Sequence, residues 1–392
     1  MAATLQSERL HIALFGRCNS GKSTLLNRLT GQDAAIVSPR AGTTTDPVRK
    51  AMEWPGVGAV TLIDTPGLDD QSALGGERVA QTRKTLDQAD RAIVLLCSED
   101  TEIEQPLLEE LRLREIPTLL LLNQVDRMEE LPSVVARLAA RLGQEVLPVS
   151  GLTGEGIDRL HRAVAAMAPR EERLLTEGLC EAGDVVLLVM PQDASAPKGR
   201  LIQPQVQTLR ELLDRHCIAL CCPPEEMAAT LQALREPPRL VITDSQVFDR
   251  VEALTPASSL LTSFSVLMAR YKGDIREFVA GAEALRRLSS RSRVLIAEAC
   301  THAPQNEDIG RVKLPRMLRK RFGEALQIDI VGGRDFPEDL TPYDLVIHCG
   351  ACMFNRRLVM SRVARARAAG VPITNYGVAI AALQGILDRV TW

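Results

Sequence analysis

Aromatic residues are scarce in this chain of 392 residues, where phenylalanine, tryptophan and tyrosine together make up 3% of the sequence. Proteins that read single-stranded RNA stack its bases on aromatic side chains, so this scarcity argues against a large surface of that kind. The formal net charge of -3 also argues against binding of nucleic acid by bulk electrostatic attraction. We therefore expect no nucleic-acid partner.

Long apolar stretches are also missing, since no run approaches the roughly 18 apolar residues that a membrane-spanning helix needs. The first apolar stretch, residues 10–15, is too short for a signal peptide and is followed at once by a glycine-rich segment. We therefore expect a cytoplasmic protein without a membrane partner. Thiols stay reduced in that compartment, so the nine cysteines are expected to be buried apolar residues or metal ligands.

What the chain does contain is a repeated alternation of strand-like and helix-like segments. Apolar runs of strand length, such as residues 10–15 and 118–122, are separated by amphipathic stretches. This pattern is typical of a mostly parallel sheet covered by helices. The alternation restarts after residue 172 and again near residue 263. We predict an α/β protein of three α/β domains, over residues 1–172, 173–262 and 263–392.

A glycine-rich loop lies between the first predicted strand and the first predicted helix. Residues 16–23 read GRCNSGKS and fit the phosphate-loop pattern G-x-x-x-x-G-K-[ST]. The backbone amides of such a loop wrap the phosphates, Lys22 reaches the β- and γ-phosphates, and Ser23 binds Mg²⁺. The residues of this segment predicted to contact the nucleotide are Gly16, Asn19, Ser20, Gly21, Lys22, Ser23 and Thr24.

Four further motifs follow in the order that a GTPase requires. Residues 42–46 (GTTTD) supply a switch hydroxyl that completes the Mg²⁺ shell. In the motif DTPG, Asp64 holds the metal through water and the amide of Gly67 faces the γ-phosphate. In the motif NQVD, the Asp126 carboxylate accepts hydrogen bonds from guanine N1–H and the exocyclic amine, which adenine cannot offer. The fourth motif, Ser150-Gly151-Leu152, follows residues 145–149 and matches the last base-contacting loop of GTPases. The residues predicted to contact the base are Asn123, Asp126, Ser150 and Gly151.

Residues 10–168 resemble the Era/TrmE-type bacterial GTPases, whose phosphate loop often reads G-x-x-N-x-G-K-S and whose switch reads G-T-T-x-D. This resemblance implies that Thr44 is the switch ligand of Mg²⁺ and that Asn19 marks a potassium-stimulated enzyme. A turn-forming role is the alternative for Asn19. The predicted catalytic residues are Lys22, Ser23, Thr44, Asp64 and Gly67, with Mg²⁺ held by Ser23, Thr44 and Asp64 and K⁺ held by Asn19.

The sequence departs from this GTPase family at Gln124, because the family usually has lysine there. That lysine lies along the base and braces the phosphate loop, so we expect guanine specificity to survive with looser binding. Leu68 stands where Ras-like proteins orient the attacking water. The sequence therefore identifies no residue that activates the water.

Cysteines and histidines form two motifs in the C-terminal third. Cys300 and His302 form C-x-H, and 45 residues later His348, Cys349 and Cys352 form H-C-x-x-C. Thiolates separated by two residues can bind one metal centre from a single turn. These five residues are the predicted ligand set of a metal centre.

The predicted strands 293–297 and 343–347 end just before the two motifs. If the strands are parallel neighbours, both motifs lie at the sheet edge where open α/β sheets bind their ligands. A structural Zn²⁺ site would use the three cysteines and one histidine. A [4Fe–4S] cluster held by three thiolates would leave one iron to a weaker or exchangeable ligand. The spacing alone does not separate the two centres.

Three other cysteines, Cys217, Cys221 and Cys222, lie on or beside an apolar strand-like run with no histidine or glycine turn near them. Buried cysteine commonly acts as a small apolar residue. We predict that all three pack in the core.

The whole chain is similar to the HydF family of [FeFe]-hydrogenase maturation GTPases, because a TrmE-like GTPase domain, a βα domain and the C-x-H and H-C-x-x-C motifs follow one another. The resemblance implies a central dimerisation domain, a homodimer and a C-terminal [4Fe–4S] domain. It also implies a carrier of the diiron precursor assembled with the radical-SAM maturases HydE and HydG and delivered to the hydrogenase. Spacing and composition by themselves indicate only a GTPase joined to a metal site. The alternative is a zinc-containing GTPase of RNA modification or ribosome assembly.

Overall fold

The structure is a computed structural model that describes residues 8–31, 48–69, 75–167, 173–192, 201–299, 308–333 and 335–392. The chain divides into two compact units, Met1–Glu171 and Glu172–Trp392. Parallel strands alternate with helices in both units, which confirms the predicted α/β class. Across the described residues, no helix combines the length and apolarity that crossing a membrane requires.

The first unit is built on a six-stranded sheet. Its strands are β1 Leu10–Gly16, β2 Arg49–Trp54, β3 Gly58–Asp64, β4 Arg91–Leu96, β5 Thr118–Leu122 and β6 Val146–Pro148. Their order is β2-β3-β1-β4-β5-β6, and only β2 among the described strands of this sheet runs antiparallel to its neighbour. The helices are α1 Lys22–Thr30, α2 Gly75–Leu86, α3 Gln105–Leu113, α4 Leu131–Leu142 and α5 Ile157–Ala166.

Strand β1 shows why this sheet is covered on both faces. Successive side chains of a strand point to opposite faces. Ala13 and Phe15 join one buried cluster, and Ile12 and Leu14 join another. All four are fully buried. The continuous apolar run of β1 therefore reflects a central strand with helices above and below it.

The second unit contains two four-stranded parallel sheets. The first has β7 Val185–Val189, β8 Ile218–Cys222, β9 Leu240–Thr243 and β10 Leu260–Ser263 in the order β10-β9-β7-β8. The second has β11 Arg293–Ala297, β12 Gln327–Val331, β13 Leu345–His348 and β14 Ile373–Asn375 in the order β12-β11-β13-β14. The helices are α6 Gln203–Asp214, α7 Met227–Ala233, α8 Phe248–Leu254, α9 Phe264–Lys272, α10 Ile275–Ala282, α11 Leu314–Phe322, α12 Arg356–Ala368 and α13 Tyr376–Gln384.

One buried cluster joins these two sheets, since it contains Val189 and Val241 from the first and Leu295 and Ile347 from the second. The two sheets therefore share a core within a single compact unit. The predicted boundary between residues 262 and 263 stays a prediction.

The prediction that three neighbouring cysteines lie in the core is wrong for one of them. Cys217 and Cys222 are buried, whereas Cys221 is exposed. Strand β8 is the edge strand of its sheet, and its burial pattern leaves Ile218 and Cys221 exposed. An edge strand can therefore carry a continuous apolar run while some of its side chains, here Ile218 and Cys221, stay exposed.

Polar caps begin the helices that follow the carboxyl ends of strands in the second unit. Ser263 ends β10, and its hydroxyl accepts a hydrogen bond from Val266 N at the start of α9. Asn375 ends β14, and its Oδ1 accepts from Gly377 N at 2.8 Å. Such caps satisfy the unpaired amides of a first helical turn. The chain consequently turns from strand to helix with no connecting loop at these two positions.

Candidate functional site

The loop between β1 and α1 has the backbone conformation of a phosphate loop. Asn19 and Gly21 have positive φ angles of 59° and 87°, a region that glycine and asparagine enter at low cost. The Lys22 ammonium is buried and donates hydrogen bonds to the carbonyl oxygens of Gly16, at 2.9 Å, and Arg17, at 2.7 Å. Burial lowers the pKa of Lys22 from its ordinary value.

Two predicted Mg²⁺ ligands meet beside this loop. Strand β1 pairs with β3 so that Leu14 lies opposite Asp64. Ser23 Oγ donates a hydrogen bond of 2.9 Å to Asp64 Oδ2. Burial raises the pKa of the Asp64 carboxyl, and the Ser23 hydroxyl and the Lys22 charge oppose that rise. A hydroxyl and a carboxylate in contact are oxygen donors of the kind Mg²⁺ prefers. Thr44 lies outside the described residues.

The DTPG segment packs directly on the phosphate loop. Leu68 N donates to Gly16 O at 3.2 Å. A Cβ atom added to Gly67 would lie 2.2 Å from Cys18 Sγ, so no larger residue fits there without displacing the loop. Asp69, which the sequence motifs did not identify, accepts a hydrogen bond of 2.6 Å from Cys18 N at its Oδ1. This segment therefore reaches the phosphate loop at three points.

The predicted base-contacting residues also come together. The buried Asn123 donates from Nδ2 to Ser20 O at 2.8 Å and accepts at Oδ1 from Gly151 N at 3.1 Å. It thus joins the phosphate loop to the last base-contacting loop. Ser150 Oγ donates a hydrogen bond of 2.5 Å to Asp126 Oδ1. That bond holds the carboxylate predicted to recognise guanine.

A second residue that the motifs missed anchors the phosphate loop from the other side. Arg17 pairs through Nε with Glu104 Oε1 at 2.8 Å and through Nη2 with Asp100 Oδ2 at 3.1 Å. The Glu104 side chain is buried, and these carboxylates raise the pKa of Arg17 against the opposing effect of burial. The phosphate-loop pattern leaves the position of Arg17 free, so no sequence signal marks it.

In the second unit, the two cysteine motifs follow neighbouring strands. Strands β11 and β13 are parallel neighbours, which is the arrangement that the metal-site hypothesis requires, and Ala297 lies opposite His348. Cys349 Sγ accepts hydrogen bonds from Ala299 N at 3.0 Å and Ala351 N at 3.4 Å. Ala299 directly precedes Cys300 in the chain. Cys300 and His302 themselves lie outside the described residues.

The sulfur of Cys349 is buried and has two backbone amide donors. Burial raises the pKa of its thiol above the ordinary value, and the amides of Ala299 and Ala351 and the charge of Arg362 oppose that rise only in part. Amide donors to a sulfur stabilise the thiolate that an iron–sulfur centre or Zn²⁺ requires. Cys352 is partly exposed, one turn further along the same loop. Within the described ranges, no three His, Cys, Asp or Glu side chains are grouped so as to hold a metal ion.

His348 is completely buried, and both of its ring nitrogens have protein partners. Nε2 lies 3.0 Å from Arg362 Nη1, and Nδ1 lies 2.7 Å from Cys349 O. Because arginine can only donate, Nε2 accepts and Nδ1–H donates. Burial and the Arg362 charge lower the pKa of His348 to about 3. The predicted ligand role of His348 therefore requires that one of these hydrogen bonds breaks.

Lys272, the last residue of α9, supports the same cysteine loop and was also missed by the motifs. Its ammonium is buried and donates hydrogen bonds to Ala351 O at 3.1 Å, Cys352 O at 3.2 Å and Phe354 O at 2.7 Å. A lysine near a helix C-terminus ordinarily faces solvent. Here it fixes the loop that carries Cys349 and Cys352.

Comparison with protein-family sequence models gives three matches along the chain. The model described as 50S ribosome-binding GTPase matches residues 11–124. The hydrogen maturase F dimerization domain matches residues 175–273, and the hydrogen maturase F tetramerization domain matches residues 276–391. The chain therefore has a GTPase domain followed by two domains of one maturase family.

Two curated relatives each match less than half of the chain. GTPase Der of Bradyrhizobium sp. (strain ORS 278) is 35% identical over 188 residues, which is 44% of this chain and 41% of the relative. The tRNA modification GTPase MnmE of Nitrosomonas europaea is 34% identical over 177 residues, which is 44% of this chain and 38% of the relative. The matched part spans about two fifths of the length of these relatives.

Solved structures match about half of the chain. Era in complex with MgGDPNP and nucleotides 1506–1542 of 16S ribosomal RNA is 20% identical, with a TM-score of 0.37, over 54% of this chain and 93% of that one. The cytosolic domain of the T. maritima FeoB iron transporter in a GDP form is 27% identical, with a TM-score of 0.34, over 44% of this chain and 67% of that one.

Proposed function

Because the chain belongs to the hydrogen maturase F family of GTPases, we propose that it is a GTP-hydrolysing scaffold in [FeFe]-hydrogenase maturation. It carries the diiron precursor as its cargo and delivers it to the hydrogenase. HydE and HydG, the radical-SAM maturases, are its partners in the cytoplasm. The observation that carries this proposal is the succession of a GTPase domain and two maturase domains that cover residues 175–273 and 276–391.

The nucleotide chemistry follows from the side chains beside the phosphate loop. Lys22 supplies positive charge to the β- and γ-phosphates, and the loop amides bind phosphate oxygens. Ser23 and Asp64, in contact at 2.9 Å, hold Mg²⁺ together with Thr44. Asn123 orders the loops around the base, and Asp126 recognises guanine.

We also propose that K⁺ stimulates hydrolysis and that the Asn19 side chain helps to bind it. Asn19→Gly keeps access to the positive φ of 59° that the loop requires but removes the side-chain amide. The unmodified protein should hydrolyse GTP faster in K⁺ than in Na⁺ at equal ionic strength, which holds screening constant. Asn19→Gly should lose that difference. Equal rates in the two salts for the unmodified protein would assign Asn19 a turn-forming role only.

The second unit is proposed to hold a [4Fe–4S] cluster through Cys300, Cys349 and Cys352, with His302 or His348 as a fourth or exchangeable ligand. The two amide hydrogen bonds to Cys349 Sγ and its position beside Ala299 support this assignment. Such a cluster supplies an iron atom with an exchangeable ligand position. Lys272 fixes the peptide between Cys349 and Phe354, so the chain presents its two described cysteines from a rigid loop.

Substitution of single cysteines tests this assignment. Cys300→Ala, Cys349→Ala and Cys352→Ala should each lose most of the iron and sulfide and fail to support hydrogenase maturation. Cys221→Ala, at an exposed position of β8, is the matched control and should keep both. Lys22→Ala should abolish GTP hydrolysis and keep the iron content. Normal iron and sulfide in all three cysteine variants would contradict the assignment.

We propose a homodimer as the working form, because the chain carries a maturase dimerization domain over residues 175–273. The tetramerization domain over residues 276–391 indicates that larger assemblies can form. Light scattering coupled to size-exclusion chromatography measures the mass of each species directly. A protein that stays monomeric at micromolar concentration would contradict the dimer.

A further inference from the structure

Asp69 is hydrogen-bonded to a backbone amide of the phosphate loop, a contact that the sequence motifs do not predict. Its Oδ1 accepts a hydrogen bond of 2.6 Å from Cys18 N. Amides of a phosphate loop bind the anionic oxygens of a nucleotide. The carboxylate of Asp69 is thus an anion bound by a backbone amide of the phosphate loop, next to Asn19, which is predicted to contact the nucleotide.

The segment that carries Asp69 approaches the loop in a defined way. Asp69 follows Gly67 by two residues, and Gly67 packs so closely on Cys18 that an added Cβ would lie 2.2 Å from its Sγ. Leu68 N donates to Gly16 O at 3.2 Å, between these two contacts. In GTPases the amide at the position of Gly67 faces the γ-phosphate. Asp69 therefore reaches the loop from the γ-phosphate side of the site.

Asp69 carries a charge at neutral pH. Burial would raise its pKa, but the hydrogen bonds from Cys18 outweigh that effect and the pKa is lowered, with Lys22 acting in the same direction. A charged carboxylate and a γ-phosphate repel each other and accept hydrogen bonds from the same donors.

We propose that Asp69 competes with the terminal phosphate of GTP for the phosphate loop and so sets the preference between GDP and GTP. GDP lacks the third phosphate and leaves the bond from Cys18 to Asp69 in place. GTP has to displace the carboxylate, so part of its binding free energy is used to break that bond. Asp69 is a specificity-determining residue for the bound nucleotide.

Affinities for GDP and for the non-hydrolysable GTP analogue GDPNP test the proposal, each measured by displacement of a fluorescent nucleotide in Mg²⁺. Asp69→Ala should raise the affinity for GDPNP by about tenfold, since a hydrogen bond to a charged group is lost from the competing state. The GDP affinity should change less than about twofold, because GDP does not compete with Asp69 for the Cys18 amide. Asp69→Asn should give a smaller gain, because its amide oxygen still accepts from Cys18 N without the charge.

The matched control is Asp158→Asn, which makes the same change of charge at an exposed residue in the first turn of α5. It should leave the ratio of the two affinities unchanged. Equal affinities of Asp69→Ala and the unmodified protein for both nucleotides would overturn the proposal. So would a loss of GDPNP affinity in Asp69→Ala, since Asp69 would then support the GTP-bound state. Thermal unfolding of each variant shows that it is folded.

Discussion

The side-chain amide of Gln124 donates a hydrogen bond of 2.7 Å to the backbone carbonyl of Asn19 in the phosphate loop. Lysine occupies the position of Gln124 in the related GTPases and braces this loop. Gln124 makes a bracing contact of its own, from a backbone with a φ of 63°. What glutamine cannot supply is the long aliphatic chain that lies along the base.

Gln124→Ala should therefore weaken nucleotide binding even though the family residue is already absent. Loss of one hydrogen bond with a net value of about 1 kcal/mol corresponds to roughly fivefold weaker binding of GDP. Gln124→Lys should bind at least as tightly as the unmodified protein. Calorimetric titration measures both, with Gln144→Ala as control, because Gln144 donates to Thr118 O on β5. Unchanged affinity in Gln124→Ala would show that the contact does not brace the loop.

Asp126→Asn should change the base that the site prefers. Ser150 Oγ donates a hydrogen bond of 2.5 Å to the Asp126 carboxylate, which we propose accepts from guanine N1–H and the exocyclic amine. An asparagine presents a donor in place of one acceptor, so GTP should bind on the order of a hundredfold more weakly and xanthosine triphosphate more tightly. Competition assays with GTP, xanthosine triphosphate and ATP give the three affinities. Equal competition by ATP and GTP in the unmodified protein would contradict this base pocket.

Lys272→Met should destabilise the second unit and lower its iron content. The substitution leaves the carbonyl oxygens of Ala351, Cys352 and Phe354 without this donor, at a cost of about 3 kcal/mol or more. Lys320→Met removes the same charge from an exposed position of α11 and should change neither property. Calorimetric unfolding and iron analysis of both variants provide the comparison. Normal iron and stability in Lys272→Met would show that the loop does not depend on this ammonium.

Cys217 should react with alkylating reagents only slowly near neutral pH. Burial, with Cys180 3.8 Å away between the two sulfurs, raises the pKa of Cys217 to about 11. Because the thiolate is the reacting form, its alkylation rate should rise about tenfold for each pH unit between 7 and 10. A free thiol levels off near pH 8.5. Iodoacetamide labelling of the native protein followed by mass spectrometry measures the rate, and a plateau near pH 8.5 would contradict the raised pKa.

The nucleotide site was largely predictable because its motifs are local. Lys22, Asp64, Asn123 and Asp126 each lie in a short pattern that follows a buried apolar strand, and parallel strands bring their carboxyl ends to one sheet edge. The pairing of β11 with β13 was predictable for the same reason. In both cases the residues with a predicted chemical role lie within a few positions of the strand that places them.

Contacts between distant segments were not predictable, because no spacing rule links their members. Asp69 and Cys18 are 51 positions apart, and Lys272 and Ala351 are 79 apart. In the sequence, Asp69 and Lys272 each look like an ordinary exposed charge. Strand β12 escaped prediction because it is a partly exposed edge strand with alternating polar residues, and β14 because it has only three residues.

Metal and sulfide analysis of the protein purified without air tests the central claim most directly. A maturation scaffold with a [4Fe–4S] cluster on Cys300, Cys349 and Cys352 should contain about four iron and four sulfide per chain after reconstitution. It should be brown, and little zinc should be present. His302→Ala and His348→Ala should keep near-normal iron, because three thiolates still hold the cluster, and at least one should show an altered electron-paramagnetic spectrum. Stoichiometric zinc with no sulfide, and loss of that zinc on removal of a histidine, would contradict the account.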